Sequence, residues 1–135
     1  MQKKSTFLFL IIFLASSVNA LSATNTPYNS TYSLINYVAS NLYAYEVNLD
    51  YSGTVSAGAI PNVFTGCGSV TSGSNTKNNV LSVYASCLNA TYQGVNVSNN
   101  IFNVTHSGTL SLRYILAVYA DGSEEYVYYN QSLGL

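Results

Sequence analysis

The stretch over residues 43–51 narrows the fold more than any other part of this chain. In Y-A-Y-E-V-N-L-D-Y, the side chains of Tyr45, Val47, Leu49 and Tyr51 fall on one face and those of Glu46, Asn48 and Asp50 on the other. A period of two belongs to a strand with one face in a core and the other toward water. The alternation returns over 80–88, where Leu81, Val83, Ala85 and Cys87 align. It returns again after residue 109, with Leu110, Leu112, Tyr114, Leu116 and Val118 expected on one face. Asp121-Gly122 then supplies the positive φ angles of a tight turn, and 124–130 runs back as the partner strand. Shorter candidates are 54–59, 63–70, 94–97 and 101–105, the last two separated by Ser98-Asn99-Asn100 of turn composition. The polar run over 71–79 predicts a loop. Residues 34–39 fit both a helical and a strand spacing, and their β-branched and aromatic content favours the extended form. Seven or eight short strands with turns between them predict an all-β protein, a single small β-sandwich of immunoglobulin-like or pilin-like topology.

The N-terminus predicts where that sandwich works. Lys3 and Lys4 precede an apolar run over 7–15, followed by Ser16, Ser17, Val18, Asn19 and Ala20. A basic start, a short apolar centre and small residues at Val18 and Ala20 make a secretory signal with cleavage after Ala20. The apolar run is well short of the roughly 20 residues that span a bilayer, so no membrane span is expected once it is removed. The expected organisation is a leader over 1–20, an extended arm over 21–42 and a sandwich over 43–135. Residues 21–31 (LSATNTPYNST) are small, polar and interrupted by Pro27, which suits an arm better than a packed element.

Charge excludes one class of partner. Only 7% of the chain is charged, and beyond the leader Lys77 and Arg113 stand against Glu46, Asp50, Asp121, Glu124 and Glu125. Two cations cannot neutralise a run of phosphates, so no nucleic-acid partner is expected. Solubility must come from Asn, Ser and Thr and from groups attached to them. Sequons for N-linked glycans occur at Asn29, Asn89, Asn96, Asn103 and Asn130. Asn89 continues the Cys87 face, which leaves half-burial open at that site alone.

Cys67 and Cys87 are the only cysteines. In an exported chain they predict a disulfide closing a loop of about 20 residues, worth roughly 3 kcal/mol in the chain-entropy model. A lone histidine, His106, leaves too few soft ligands for a zinc site. His106 precedes Ser107-Gly108 and reads as a surface or turn residue. Glu124 and Glu125 point to opposite faces and do not pair for acid and base work. Glu46 and Asp50 share a polar face, more in keeping with solvation than with a Ca²⁺ site. Neither an enzyme nor a cofactor or metal is expected. Of the thirteen tyrosines, Tyr126, Tyr128 and Tyr129 crowd the last strand on both faces, an arrangement that calls for cover.

The leader ending at Ala20, the polar arm over 21–31, the small Tyr-, Asn-, Ser- and Thr-rich β domain and the scattered sequons together resemble the thread-type pilins of archaea. Those are exported, glycosylated subunits similar in fold to bacterial type I pilins. The resemblance implies a structural subunit of a cell-surface filament, joined as a homo-polymer by strand donation. Leu34, Ile35, Tyr37 and Val38 would be the donor strand, lying in a groove of the next subunit. Head-to-tail insertion of that kind does not close on itself and so builds a filament. The alternative is a monomeric secreted adhesin or carbohydrate-binding sandwich, its arm loose or folded back. A second alternative takes Lys3-Lys4-Ser5 as a type IV prepilin site, with residues 6–20 retained as an assembly helix. Ser16, Ser17 and Asn19 interrupt that helix.

Overall fold

The computed structural model describes residues 21–129. The leader, the cleavage position Ala20 and the sequon asparagine Asn130 lie outside them. The elements are β1 (Ser22–Asn29), β2 (Tyr32–Tyr51), β3 (Val55–Ala57), β4 (Val70–Lys77), β5 (Val80–Cys87), β6 (Val95–His106), β7 (Leu110–Tyr119) and β8 (Glu124–Tyr128). Every ladder between them is antiparallel. Among the described residues no helix is long and apolar enough to cross a membrane.

β2 organises the molecule because its two halves have different neighbours. Over its first half it pairs with β1 and β6, and over its second half with β5 and β7. One layer therefore reads β1-β2-β6-β3 and the other β4-β5-β2-β7-β8, with β2 passing from the first to the second. The crossing lies at Asn41, whose φ of 55° is left-handed, a conformation that Asn tolerates better than most residues. There the ladder slips, between Ala39 and Leu42 against β6 and between Leu42 and Ala44 against β7. The Asn41 N–H, turned out of the ladder, donates to Asn96 Oδ1 at 3.1 Å, and its carbonyl accepts from the Ala120 N–H at 3.0 Å.

The core fills the space between the layers. Ile35, Tyr37 and Ala39 enter it from the first half of β2, and Tyr45, Val47 and Leu49 from the second. Leu81, Val83 and Ala85 of β5, Phe102 and Val104 of β6, and Ile115 and Ala117 of β7 meet them. Residues 34–39 are thus strand, and the boundary expected at 42/43 falls inside one continuous element.

Four expectations are corrected by pairing that side-chain pattern cannot reveal. Residues 21–31 are extended but not an arm apart from the packed elements, because β1 folds back on β2 through an unbroken ladder from Ser22 against Val38 to Pro27 against Ser33. The polar run over 71–79 is largely β4, an edge strand laddered to β5 along its whole length. Backbone hydrogen bonds hold it, so it needs no apolar face. The candidates 94–97 and 101–105 are one strand with a bulge, stapled by Asn100 Nδ2, which donates to the Ile35 and Phe102 carbonyls at 3.0 and 2.9 Å. Most of 63–70 is irregular rather than strand. It lies in the connection from β3, outermost in one layer, to β4, outermost in the other, and so closes one open side of the sandwich. Phe64 is buried there against Tyr45 and Tyr92, and the Cys67–Cys87 disulfide pins the connection to the end of β5.

The opposite side is closed by β1. The Ala23 N–H donates to the Tyr129 hydroxyl at 2.7 Å, and Asn25 Nδ2 to the Leu110 carbonyl at 3.1 Å. Pro27, on the same parity, has no N–H to offer, which blunts this edge further.

Candidate functional site

A single extra residue in β7 decides which side chains the molecule shows to its surroundings. Asn48 pairs with Tyr114, but the next residue of β2, Leu49, pairs with Leu112, so Arg113 is a bulge. A bulge resets the two-residue alternation. Leu112 points into the core, and beyond the bulge Ile115, Ala117 and Tyr119 do so. Tyr114, Leu116 and Val118 go to the outside, contrary to the expectation that they share a face with Leu112. Arg113, freed from the ladder, reaches Asp50 with a 2.9 Å hydrogen-bonded ion pair.

On the outer face of this layer Tyr114 meets the two exposed tyrosines of β8. Its ring centroid lies 6.3 Å from Tyr126 and 5.6 Å from Tyr128. The Tyr126 and Tyr128 rings are parallel to within 13° at 6.2 Å, with exposures of 49% and 55%. Across the sheet, register places Leu116 beside Glu46 and Glu46 beside Tyr84, whose ring lies over Gly73 of β4. A Cβ at Gly73 would come within 2.5 Å of the Tyr84 hydroxyl oxygen. Between these rings runs a polar chain: the Ser82 hydroxyl donates to Asn48 Oδ1 at 2.6 Å, and Asn48 Nδ2 donates to Glu46 Oε1 at 3.0 Å. Burial, the Glu46 carboxylate and the adjoining Tyr126 and Tyr128 hold the Tyr114 phenol above its usual range.

This face offers aromatic area rimmed by hydroxyl, amide and carboxylate groups. Glu46 and Asp50 both lie on it, and each already has a protein partner. Among the described residues no group of three His, Cys, Asp or Glu could hold a metal ion.

His106 is not a surface residue, as its turn-like neighbours suggested. It is 9% exposed, with Nδ1 2.8 Å from the Gly108 carbonyl and Nε2 3.0 Å from the Ser33 hydroxyl. The carbonyl can only accept, so Nδ1 carries a proton, and in the neutral ring Nε2 accepts from the Ser33 hydroxyl. The pair resembles a base and its nucleophile, but Ser33 is 1% exposed and no substrate can reach it. It joins β2 to β6 as a satisfied polar contact within the core.

The remaining sequence-derived positions fall in separate places. Leu34, Ile35, Tyr37 and Val38 sit in the first half of β2, with β1 on one edge and β6 on the other, and Ile35 and Tyr37 are fully buried in this chain's own core. Among the sequon asparagines, Asn29, Asn89 and Asn96 are exposed and Asn103 is half-buried. The tyrosine cluster was only half legible. Tyr126 and Tyr128 are visible as an alternating pair, whereas Tyr114 joins them through a bulge that leaves one clue in the sequence, the apolar Ile115, Ala117 and Tyr119 on the face that strict alternation from Leu112 turns to water.

No protein-family model and no curated protein matches this sequence. Solved structures do. A type II cohesin, A11 from Bacteroides cellulosolvens, superposes with a TM-score of 0.54 at 11% identity, over 78% of this chain and 88% of that one. The second type II cohesin of the adaptor scaffoldin of Acetivibrio cellulolyticus gives 0.53 at 8% identity, over 78% and 86%. A type II cohesin–X-dockerin complex from the same organism gives 0.53 at 11% identity, over 78% and 88%. At these identities the likeness is one of fold. The chain is an all-β, immunoglobulin-like sandwich, similar in fold to these cohesin modules.

Proposed function

We propose that this chain is an extracellular, non-catalytic binding module, and that the outer face of β4-β5-β2-β7-β8 is its docking surface for a partner protein. The observation that carries the reading is the cluster of Tyr114, Tyr126 and Tyr128 on an uncovered sheet face. Tyrosine brings large contact area at small entropic cost and keeps a polar tip for water or a partner. The structural neighbours include a cohesin in complex with an X-dockerin, which is support from analogy of fold. The secretory leader expected over 1–20 supports the extracellular setting.

The test uses purified protein, wild type and Tyr126→Ser/Tyr128→Ser, labelled and titrated onto intact cells of the source organism. The double variant should lose at least about tenfold in affinity while its circular dichroism is unchanged. Protease treatment of the cells should abolish binding. Equal binding by the two proteins overturns the site, and loss on glycan oxidation but not on proteolysis overturns the class of partner.

The filament reading keeps one specific observation. Six of the eight β1 residues are exposed, so β1, rather than residues 34–38, is the strand that could pass to a neighbouring copy. Ladders in negative-stain images that disappear when 21–31 are deleted would favour that exchange. A monodisperse monomer in both forms favours the binding module.

A further inference from the structure

The sequons are distributed unevenly over the sandwich, and their local geometry differs. Asn29 ends β1, Asn96 and Asn103 lie on β6 in the layer without the tyrosine cluster, and Asn89 lies in the loop after β5. None of these four stands on the outer face of the tyrosine-bearing layer.

Two of them have their side chains already turned for modification. The Thr31 N–H and hydroxyl both donate to Asn29 Oδ1, at 2.9 and 3.1 Å. The Thr91 N–H and hydroxyl donate to Asn89 Oδ1 in the same way, at 3.1 and 2.8 Å. In both, the amide oxygen is held inward by the hydroxyl residue two positions on, which leaves Nδ2 facing solvent. Asn96 is exposed as well, its Oδ1 held by the Asn41 N–H. An N-linked sugar leaves that oxygen free to accept the same bond. Asn103 differs on every count. Its Oδ1 is buried and has no hydrogen-bond partner. Its carbonyl is bonded to the Gly58 N–H at 2.7 Å, and this contact lays the segment after β3 beside it.

We propose that Asn29, Asn89 and Asn96 carry N-linked glycans and that Asn103 does not, so that among the four described sequons sugar coats one layer and one end of the sandwich and none stands on the tyrosine face. In each transfer Nδ2 attacks C1 of a lipid-pyrophosphate-linked oligosaccharide. The C1–N bond forms, the C1–O bond to the pyrophosphate breaks, and Nδ2 loses a proton. No redox partner is required. The glycans supply the hydration that a chain with 7% charged residues otherwise lacks, and they occupy surface that a partner on the opposite layer does not use. The inference rests on the extracellular reading above.

The full chain is expressed in a host with N-linked glycosylation, beside a reporter of known occupancy, and a second arm replaces residues 1–20 with the host's own leader. Amidase release of the glycans leaves Asp wherever sugar was attached, and chymotryptic peptides then read each site by mass. Conversion at 29, 89 and 96 with Asn103 intact is the expected result. Asn29→Gln, Asn89→Gln and Asn96→Gln should each remove one step from the intact-mass ladder, and Asn103→Gln none. Occupancy at Asn103 equal to that of the others, or bare Asn29 and Asn89 beside a modified reporter, overturns the proposal. Failure of the first arm alone to reach the medium overturns the export reading and leaves the site assignment standing on the second.

Discussion

Tyr45 shows how a residue can be placed correctly by pattern and still hold something that pattern cannot reveal. Alternation puts it in the core, and it is there, with ring centroids 5.5 Å from Tyr37 and 6.1 Å from Phe64. Its hydroxyl is buried without a hydrogen-bond partner, whereas the Tyr37 hydroxyl donates to the Leu116 carbonyl at 2.9 Å. An orphaned buried donor costs about 1–3 kcal/mol of desolvation. Tyr45→Phe is therefore expected to raise stability by about 1 kcal/mol in urea unfolding, and Tyr37→Phe to lower it by a similar amount. The neighbours that satisfy or fail a phenol come from β7 and the 58–69 connection, remote in sequence from both tyrosines.

At the scale of the element, β2 is the unit that makes two layers from one chain, and its crossing at Asn41 is supported from outside. Gly94, with φ of 87°, packs so closely that a Cβ there would lie 2.6 Å from the Asn41 carbonyl carbon and oxygen. Both atoms are backbone, so nothing flexible can move aside. Gly94→Ala should cost more than about 2 kcal/mol, from left-handed strain together with displacement of the β2 crossing. The loss should appear as a lower urea midpoint and faster amide exchange in residues 39–44. The strands with one apolar face, β5 and the second half of β2, were legible because burial on one side writes a period of two. β1 and β4 were not, since an edge strand held mainly by its backbone ladder leaves no apolar pattern.

For the whole molecule, the scarcity of charge makes the alkaline limb the informative part of the pH profile. Burial raises the phenol pKa of both Tyr37 and Tyr45, and for Tyr37 the nearby Tyr119 and Tyr129 add to the effect. The unfolded chain ionises these groups near pH 10 while the folded one keeps them neutral. Their stabilising contribution is thus complete below about pH 10 and falls as pH rises past it, by about 1.4 kcal/mol per tyrosine for each further pH unit. Tyrosinate absorbance should jump with global unfolding as Tyr37 and Tyr45 become exposed. A smooth titration of all thirteen tyrosines with the fold intact would contradict this. The disulfide, closing a separation of 20 residues, supports the native state against that loss by roughly 3 kcal/mol.

The sequence by itself determined the class of fold, the C-terminal hairpin and the pairing of Cys67 with Cys87. Each follows from a local period, a turn dipeptide or a count of two cysteines. Tertiary structure alone decided that residues 34–38 are the middle of their own sheet, that His106 is a core residue and that Tyr114 faces outward with Tyr126 and Tyr128. Those outcomes turn on register and on which strand lies alongside. A one-residue bulge at Arg113 inverts a face without changing a single neighbour in the chain.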